Sequence, residues 1–326
     1  MAALPGRYVE SIVDLRELGV GHLDPLLEEE NEAWRRELDW DFRPSADLVR
    51  RFVQSRSLNG FALVDSVGVA GYSYYVVEEG KGLIGDFFVR SAVRNAGSEH
   101  RLLEAILDAM WRIPGLRRIE AQLMMLGLEL ESKAGSAAPY RGWLHSYPRR
   151  FLEIPLATVR RFRGREPMRV AFAPWTESWR DEAATLIANT YKGHIDSQIN
   201  DQYQSHAGAH RFLTNIVQFL GCGAFFAPAS FVAWDRERRA MCGVSLTSLV
   251  ANETGHITQV CVAPTHQGQG VGYELLRRSL TALAAQGCRN VSLTVTTANA
   301  SAVGLYERMG FIMRREFAAH VWDMRV

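Results

Sequence analysis

The pattern of apolar and polar residues predicts the same order of secondary-structure elements twice along the 326-residue chain. Alternating runs rich in valine, tyrosine and phenylalanine indicate strands, whereas leucines spaced by three and four residues indicate helices. Ser45, which follows Pro44, is a candidate N-cap for one of these helices. In the first half we predict strands at 8–15, 61–65, 69–77, 83–89, 119–123 and 151–154 and helices at 22–38, 45–54 and 102–110; in the second half we predict strands at 168–173, 231–234, 242–249, 256–262 and 291–295 and helices at 179–191, 206–220, 271–283 and 299–309.

The two halves align without a gap over a stretch of strand, turn and helix. The sequence FVRSAVRNAGSEHRLLEAIL at 88–107 pairs with CVAPTHQGQGVGYELLRRSL at 261–280, so that Gly97 falls on Gly270. Such a match indicates an internal repeat of a whole domain. The basic segment TVRRFRGREP, which contains glycine and proline, is typical of a linker. We therefore predict an α/β protein of two tandem domains, residues 1–157 and 168–326, joined by a linker at 158–167.

The segment QGQGVG at 267–272 lies between a predicted strand and a predicted helix. Glycines let main-chain N–H groups converge and a helix N-terminus adds a positive partial charge, so this arrangement favours a phosphate ligand. A dinucleotide-binding fingerprint is not met, because Tyr273 stands at the third glycine position and no acid lies at 288–292. A P-loop would end in Gly-Lys-Ser or Gly-Lys-Thr, which is absent from this segment. In the first half Asn95 and Glu99 replace two of the glycines, and we expect the Glu99 carboxylate to face and repel phosphates.

A third pattern matches the segment better. The sequence VCVAPTHQGQGVG, followed by a helix, a strand and NASAVGLYERMGF, resembles the acetyl-coenzyme A site of the GNAT superfamily of acyltransferases. In that family the pattern Q/R-x-x-G-x-G/A wraps the pyrophosphate, and Gln267, Gly270 and Gly272 fill it position for position. The resemblance implies that each domain has a mostly antiparallel mixed sheet with flanking helices. It also implies that acetyl-CoA is the cosubstrate and that acetyl passes directly to a primary amine.

The resemblance also implies roles for individual residues. In the family the strand before the glycine loop splays from its neighbour and binds the pantetheine arm through main-chain groups. Tyr306 matches the tyrosine that commonly protonates the departing thiolate, with a packing role as its alternative, and Asn299 matches the side chain that holds the pantetheine region. The implied cofactor-binding residues are Val260, Cys261, Val262, Gln267, Gly268, Gln269, Gly270, Val271, Gly272, Tyr273, Asn299, Ala302 and Tyr306.

The general base is less well specified by the sequence. Family members often supply a glutamate near this strand or work through water, and here Glu253, His256 and Gln259 lie near it. An amide cannot act as a base, so Glu253 and His256 are the candidates, with a solvated loop acid and a structural histidine as the alternatives. Cys261 could accept an acyl group, but we expect it to serve as a small buried hydrophobe.

The segment YKGHIDSQINDQYQSHAGAH at 191–210 is dense in hydrogen-bonding side chains. In the family the connection between the first two helices lines the acceptor pocket, and carboxylates there could hold a cationic amine; a solvated loop is the alternative. His206 and His210 stand at i, i+4 spacing without an evident third ligand, so we expect no metal. The substrate-binding candidates are Tyr191, His194, Asp196, Asn200, Asp201 and Tyr203.

Composition narrows the class of protein further. The formal net charge is +1 and 22% of residues are charged, so nothing indicates a nucleic acid or a membrane surface as partner. The cysteines, Cys222, Cys242, Cys261 and Cys288, show no CxxC spacing, which favours reduced thiols in a cytoplasmic protein. No apolar run approaches the roughly 20 residues of a membrane-spanning helix, and residues 1–21 lack a signal-peptide layout.

We therefore expect an acetyl-CoA-dependent N-acetyltransferase that is active in its second domain. Its acceptor is expected to be a small-molecule or peptide amine, and the protein to be a monomer or homodimer. The first domain is expected to be a degenerate copy without cofactor binding. The alternative is a coenzyme A-binding sensor or regulatory module without turnover, which the unspecified base favours and Tyr306 opposes.

Overall fold

The computed structural model describes residues 11–130, 140–164, 167–219, 221 and 223–324. Contacts between residues divide the chain into two compact units. The first comprises the described residues of 1–36, 42–147 and 317–326, and the second those of 37–41 and 148–316. The elements, in chain order, are β1 (Ser11–Asp14), α1 (Asp24–Leu38), α2 (Arg43–Gln54), β2 (Gly60–Val64), β3 (Val69–Glu78), β4 (Lys81–Val89), α3 (Ala96–Trp111), β5 (Arg118–Gln122), β6 (Leu144–Pro155), β7 (Val170–Pro174), α4 (Arg180–Thr190), α5 (Asp196–Ile199), α6 (His206–Gln218), β8 (Ala224–Phe225), β9 (Phe231–Asp235), β10 (Ala240–Ala251), β11 (Thr254–Val262), α7 (Val271–Ala285), β12 (Asn290–Thr296), α8 (Ala300–Met309) and β13 (Ile312–Asp323).

The first unit is built on a sheet in which β1, β2, β3, β4 and β5 follow one another. Residues 319–323 of β13 add an antiparallel partner to β5, and β4 and β5 are the parallel pair. The predicted apolar stripe of α3 is fully buried, with Leu102, Leu103 and Ile106 packed in one cluster with Phe87 and Trp322. This burial explains why the leucine spacing predicted the helix correctly.

The second unit repeats the arrangement with β7, β9, β10, β11 and β12 in spatial order, followed by residues 149–155 of β6. Neighbouring strands are antiparallel except for β11 and β12. Leu275, Leu276, Leu280 and Leu283 of α7 are fully buried against the sheet. The predicted α/β fold class, with a mixed and mostly antiparallel sheet, is confirmed.

Several predicted boundaries differ from those observed. The helix α2 begins at Arg43, so Pro44 lies in its first turn and Ser45 is not its N-cap; proline is well suited to that turn because the first N–H groups of a helix have no partner within it. The short helix α5 lies in the connection between the helices predicted at 179–191 and 206–220, where no helix was predicted. The start of the first predicted strand (8–10), linker residues 165–166 and Cys222 fall outside the described residues.

The compact units partition the chain differently from the predicted domains. Residues 148–157 belong to the second unit because β6 pairs there with β12, and residues 317–323 belong to the first because β13 pairs there with β5. The linker predicted at 158–167, between domains predicted at 1–157 and 168–326, stays a prediction. The segment 148–157 matters for function, because it brings side chains of the first half of the sequence into the second unit.

Candidate active site

Two parallel strands separate within the second unit. The pairing of β11 with β12 ends at Ile257 opposite Leu293, although both strands continue. On its other side β11 stays paired with β10 as far as Val262. A bulge places Thr258 at the point of separation. The edge of residues 258–262 is thus turned away from β12, which is the geometry expected where a pantetheine arm inserts.

The glycine turn follows soon after the end of β11. Gly268 and Gly270 have φ angles of 74° and 86°, in the left-handed region that favours glycine. Gly270 is the N-cap of α7 and, among the described residues, no side chain caps this helix start. The side-chain amides of Gln267 and Gln269 instead bond to carbonyls of the preceding segment, at 3.1 and 2.8 Å. The first-turn N–H groups and the helix dipole therefore remain available to an anion.

The first turn of α7 holds the rest of the predicted loop residues. Val271 is fully buried, and a Cβ at Gly272 would lie 3.5 Å from the side chains of Val262 and Leu305, an ordinary contact distance. Tyr273 donates its hydroxyl to the Arg163 carbonyl at 3.0 Å. Tyr273 therefore joins α7 to the linker segment, and its contact with the coenzyme stays a prediction.

A buried histidine and aspartate, which sequence reasoning missed, hold the segment before the glycines. His266 Nε2 lies 2.9 Å from Asp235 Oδ2, and His266 Nδ1 lies 2.9 Å from the Thr265 hydroxyl. Asp235 Oδ1 accepts from the N–H groups of Glu237 and Arg238 in the turn between β9 and β10. The Arg238 N–H, together with His266 and the Glu237 N–H, keeps the pKa of Asp235 below its usual value. This aspartate therefore links the hairpin turn to the glycine turn.

Tyr306 lies on the inner face of α8 and is 8% exposed, with its ring centroid 5.7 Å from that of Phe311. Burial raises its pKa, the charge of Asp196 raises it further, and the charge of Arg149 opposes both. Any tyrosine keeps its proton at neutral pH, as a general acid must, and the raised pKa makes Tyr306 a weaker acid than a free phenol. The position suits the predicted catalytic role and the packing alternative alike.

Asn299 and Ala302 lie at the start of the helix that carries Tyr306. Asn299 is the N-cap of α8, and its Oδ1 accepts from the Ala302 N–H at 3.2 Å. The residue predicted to hold the pantetheine region therefore also fixes the beginning of this helix.

Two tyrosines and a glutamine form a hydrogen-bonded group beside β11. Buried Gln259 donates to the Tyr191 hydroxyl at 3.0 Å and accepts from the Tyr203 hydroxyl at 3.3 Å. The two phenol rings stack with centroids 4.5 Å apart, and burial raises the pKa of Tyr191 well above its usual value. The structure thus brings Tyr191 and Tyr203 of the predicted substrate segment next to the separated strand.

The other members of that segment divide into two groups. Asp196 opens α5 and accepts a hydrogen bond from the Thr296 hydroxyl of β12, with His194 Nδ1 3.6 Å from its second oxygen. Asn200 caps the following turn by accepting a main-chain N–H at 3.1 Å, and Asp201 lies in that turn. Asp196 is the candidate carboxylate of this segment that contacts β12, whereas Asn200 holds the segment in shape.

Glu253, a candidate base, lies at the end of β11 opposite to the glycine turn. Its carboxylate is 2.9 Å from the Arg289 guanidinium, and 52% of the side chain is exposed. The nine residues of β11 span about 30 Å. A role for Glu253 as base stays a prediction, and this location does not favour it, because the thioester is expected near Val262.

His256, the second candidate base, is enclosed within the unit. Its ring centroid lies 5.1 Å from that of Trp40 and 6.2 Å from that of Phe151, and its Nδ1 lies 2.9 Å from the Ser292 hydroxyl. Burial, helped by the charge of Arg149, lowers its pKa to about 3. A neutral imidazole with so low a pKa is a weak base, so its assignment also stays a prediction without support from the local chemistry.

The strand residues 260–262 present main-chain groups rather than reactive side chains. Burial raises the pKa of the Cys261 thiol to about 12, so it is not a thiolate at neutral pH. Cys261 packs with Val244 and Leu246, as expected of a small buried hydrophobe. The Val260 carbonyl accepts from the Tyr191 hydroxyl at 3.4 Å.

Arg149, which sequence reasoning also missed, contributes a cation to this region. It lies on β6 directly opposite Thr296 of β12, and its Nη2 lies 3.3 Å from the Thr294 hydroxyl. Its charge acts on the pKa values of both Tyr306 and His256. The residue precedes the predicted linker, and only the pairing of β6 with β12 places it here.

Within the described ranges, none of the helices is both long enough and apolar enough to cross a bilayer. Nor do His, Cys, Asp and Glu side chains gather there in any group of three or more that could hold a metal ion. Cys242, Cys261 and Cys288 are free, buried thiols.

Comparison with known proteins identifies the part of the chain that holds this site. Residues 198–311 match the family model described as the acetyltransferase (GNAT) family. The chain is 33% identical over 87 residues to mycothiol acetyltransferase of Saccharopolyspora erythraea, and 33% identical over 88 residues to streptothricin acetyltransferase of Streptomyces lavendulae. Each match covers 27% of this chain, and they cover 29% and 38% of the two relatives, so the chain matches well under half of each relative.

Solved structures share the fold over nearly the whole chain. A GCN5-related N-acetyltransferase from Sphaerobacter thermophilus has a TM-score of 0.65 at 16% identity, covering 99% of this chain and 97% of its own. A tandem GNAT protein from the clavulanic acid biosynthesis pathway has a TM-score of 0.64 at 12% identity, covering 97% and 98%. At such identities the likeness concerns the fold alone. Residues 198–311 are therefore a GNAT-family acetyltransferase domain, in a chain that shares its fold with a tandem GNAT protein.

Proposed function

We propose that the chain is an acetyl-CoA-dependent N-acetyltransferase whose second half transfers acetyl directly to a primary amine in a ternary complex. One observation carries the proposal: the left-handed Gly270 leaves the start of α7 without a side-chain cap, just beyond the strand that separates from β12. A pyrophosphate fits that helix start, and an extended pantetheine fits the unpaired edge of 258–262. The names of the matched relatives, all acetyltransferases, support the same reaction class.

The proposed chemistry follows from these positions. The neutral amine attacks the thioester carbonyl carbon, the C–N bond forms as the C–S bond breaks, and the amine gives up its proton to water. Main-chain N–H groups of 260–262 would stabilise the oxyanion. Tyr306, whose phenol is protonated at neutral pH, would give its proton to the departing thiolate. We further propose a small-molecule or peptide acceptor, a cytoplasmic location, and a first half without coenzyme binding.

The coenzyme site is tested by isothermal titration with acetyl-CoA, which should show one site per chain. Gly270→Glu combined with Gly272→Glu places two carboxylates at the helix start and should abolish binding. Gly97→Glu, at the aligned position of the first half, is the matched control and should bind normally. If the double variant still bound acetyl-CoA normally, the glycine turn would not be the coenzyme site.

Turnover is tested by release of free thiol from acetyl-CoA with a panel of primary amines. Tyr306→Phe should lower kcat by about 100-fold or more with little change in coenzyme affinity, because the phenol acts only as thiolate forms. Tight coenzyme binding without turnover on any amine would instead favour a coenzyme A sensor or regulatory module.

A further inference from the structure

A carboxylate lies at the end of β12, where that strand has separated from β11. Beyond the last pair, Ile257 with Leu293, a gap opens between the two strands. Thr296 ends β12 on one side of this gap, and its hydroxyl donates to Asp196 Oδ1. Val260 lies equally far beyond the last pair on the β11 side. Asp196 is therefore held beside the gap at about the level of Val260.

The main chain of β11 directs its free polar groups into this gap. The Ala263 N–H donates to the Cys242 carbonyl of β10, and hydrogen-bonded positions alternate along an antiparallel pair. In this register Cys261 bonds to β10, whereas the N–H and C=O groups of Val260 and Val262 point away from β10 and into the gap. A thioester bound by these groups would lie within the gap.

The Asp196 carboxylate and the Tyr306 phenol approach the gap from opposite faces of the sheet. Val295 packs in the same core cluster as Tyr306. Because side chains alternate along a strand, Thr296 and the carboxylate that it holds lie on the other face. Burial raises the pKa of Tyr306, and the charge of Asp196 raises it further. The two groups therefore interact across the gap, with one on each side of a thioester bound there.

One oxygen of Asp196 is open to a ligand. Its Oδ1 accepts from Thr296, whereas Oδ2 makes no hydrogen bond within the described residues and lies 3.6 Å from His194 Nδ1. The side chain is 17% exposed, so water can reach it. His194 Nδ1 accepts from the Asp196 N–H at 3.2 Å, so the lone pair of the neutral imidazole is already used. The carboxylate is thus the group with free lone pairs at this point.

We propose that Asp196 is the general base of the transfer and takes a proton from the bound ammonium through one water at Oδ2. The inference rests on the proposed function and assigns the base that the surroundings of Glu253 and His256 do not favour. The neutral amine then attacks the thioester carbon, and the proton that it gives up on attack replaces the one that Tyr306 gives to the thiolate. The products are the amide, the free thiol and one proton, which Asp196 releases to solvent.

The two groups are coupled through their charges. While Asp196 is ionised, its charge is one of the causes that raise the pKa of Tyr306. Once the carboxylate has taken the proton of the ammonium, that charge is neutralised and the phenol becomes a stronger acid. Tyr306 therefore gains acidity at the stage when the thiolate departs.

The test compares amines that differ in acidity but little in shape. Ethylamine and its mono-, di- and trifluoro derivatives form progressively stronger ammonium acids, and they are added to the panel of primary amines at neutral pH. Asp196→Asn should lower kcat about 100-fold for ethylamine with little change in KM, because the amide still accepts from Thr296 but cannot take a proton. The loss should shrink along the series, and among panel amines ranked by acidity, and nearly vanish for the trifluoro derivative, which is already neutral. An equal loss for all amines, or a rise in KM alone, would overturn the assignment.

Three further variants separate the base from its neighbours. Thr296→Val removes the bond that holds the carboxylate but keeps the base, so kcat should fall by less than about tenfold, equally for all amines. His194→Gln should behave likewise, and if it reproduced the acidity-dependent loss the imidazole would be the base. Asp181→Asn is the matched control, because Asp181 also pairs with a histidine, His206, but is exposed in the first turn of α4. A loss in Asp181→Asn equal to that in Asp196→Asn would contradict the proposal.

Coenzyme binding distinguishes failure of this inference from failure of the proposed function. Calorimetric titration should give the same Kd for acetyl-CoA in Asp196→Asn as in the wild type, and a lost site would show that the carboxylate serves the structure instead. Turnover of amines that Asp196→Asn leaves intact would uphold the proposed function and refute this base. Coenzyme binding by the wild type without turnover of any amine would refute both.

Discussion

The two halves have the same strand arrangement but differ in the turn that follows the separated strand. In the first half the pairing of β4 with β5 ends at Ile84, and a bulge places Gly85 at the point of separation. In the second half the equivalent residues are Ile257 and Thr258, which occupy the aligned positions. A separated pair of strands is therefore present in both halves, and it does not by itself distinguish the proposed coenzyme site.

The difference lies in the turn that follows. The helix α3 begins at Ala96, which aligns with Gln269, two residues before the start of α7. Asn95 accepts from the N–H groups of Gly97 and Ser98 at 2.9 and 3.1 Å, and the Ser98 hydroxyl accepts from the Asn95 N–H. The first half thus satisfies its helix start with its own side chains, whereas the second half leaves that start for a ligand.

Glu99 does not act as the sequence suggested. Instead of facing the turn it is buried, accepts from the Gly127 N–H at 2.9 Å, and has a pKa raised by that burial. The first half caps its helix start with side chains, so a first half without coenzyme binding would not require repulsion by this carboxylate.

The largest effect on acetyl-CoA binding is expected when α7 is given a side-chain cap like that of α3. Gly268→Asn with Gly270→Ala supplies a capping side chain and removes the left-handed glycine, so the helix is favoured to begin two residues earlier. Several N–H contacts to phosphate would be lost, and the Kd for acetyl-CoA should rise on the order of 100-fold. Calorimetric titration measures it.

The reverse change in the first half is the control for that prediction. Asn95→Gly removes the side-chain cap of α3 and should lower stability by roughly a few tenths of a kcal/mol without changing the coenzyme stoichiometry or Kd. A second coenzyme site in Asn95→Gly, or an unchanged Kd in the capped second half, would break the link between capping and loss of the site.

A smaller difference concerns an aspartate at the same place in both hairpins. Asp65 accepts from the N–H groups of Val67 and Gly68 and pairs through its other oxygen with Arg90, at the end of β4. Asp235 caps its turn in the same way but pairs with His266, directly before the glycine turn. In the second half the capped hairpin turn is thus connected, through His266, to the segment before the glycine turn.

Asp235→Asn should therefore weaken acetyl-CoA binding about tenfold, because the amide keeps an acceptor for the turn but replaces the carboxylate that His266 contacts. Asp65→Asn, the matched variant, should alter thermal stability and leave Kd unchanged. Both variants are titrated with acetyl-CoA at the same salt concentration. Equal Kd values for Asp235→Asn and Asp65→Asn would show that the contact of Asp235 with His266 does not position the loop.

These comparisons also show what the sequence could predict. The glycine turn, α7, Asn299 and Tyr306 were predictable because each depends on residues close together in the chain, where spacing and capping preferences operate. Arg149 was not, since it contacts a threonine 145 residues away, and that contact exists only when β6 pairs with β12. The pair of Asp235 and His266, 31 residues apart, depends likewise on the pairing of β9 with β10 and of β10 with β11. The residues that sequence reasoning missed are therefore those brought together by long-range strand pairing, which the spacing of residues along the chain does not reveal.

The residue after the bulge distinguishes the halves once more. In the second half it is Gln259, bonded to two tyrosines beside the proposed site. In the first half it is Asp86, and the Tyr72 hydroxyl lies 3.1 Å from Asp86 and 2.8 Å from Glu30 of α1. The first half thus has two carboxyls and a phenol where the second half has a neutral amide and two phenols. Burial raises the pKa of both carboxyls, and the charge of Asp86 raises that of Glu30 further.

This cluster predicts a dependence of stability on pH, the smallest of the effects. Because the pKa of Glu30 is raised above its unfolded value, the folded protein binds that proton more tightly, and stability falls as the pH rises from about 4.5 towards the raised pKa. Urea unfolding at pH 5 and pH 8.5 should show a lower free energy of unfolding at pH 8.5 in the wild type. Glu30→Gln keeps the shape of the side chain and removes its titration, so much of this loss should disappear. Glu32→Gln is the control, since Glu32 lies on the exposed face of α1 and pairs with Arg35; equal pH dependence in both variants would exclude Glu30 as the cause.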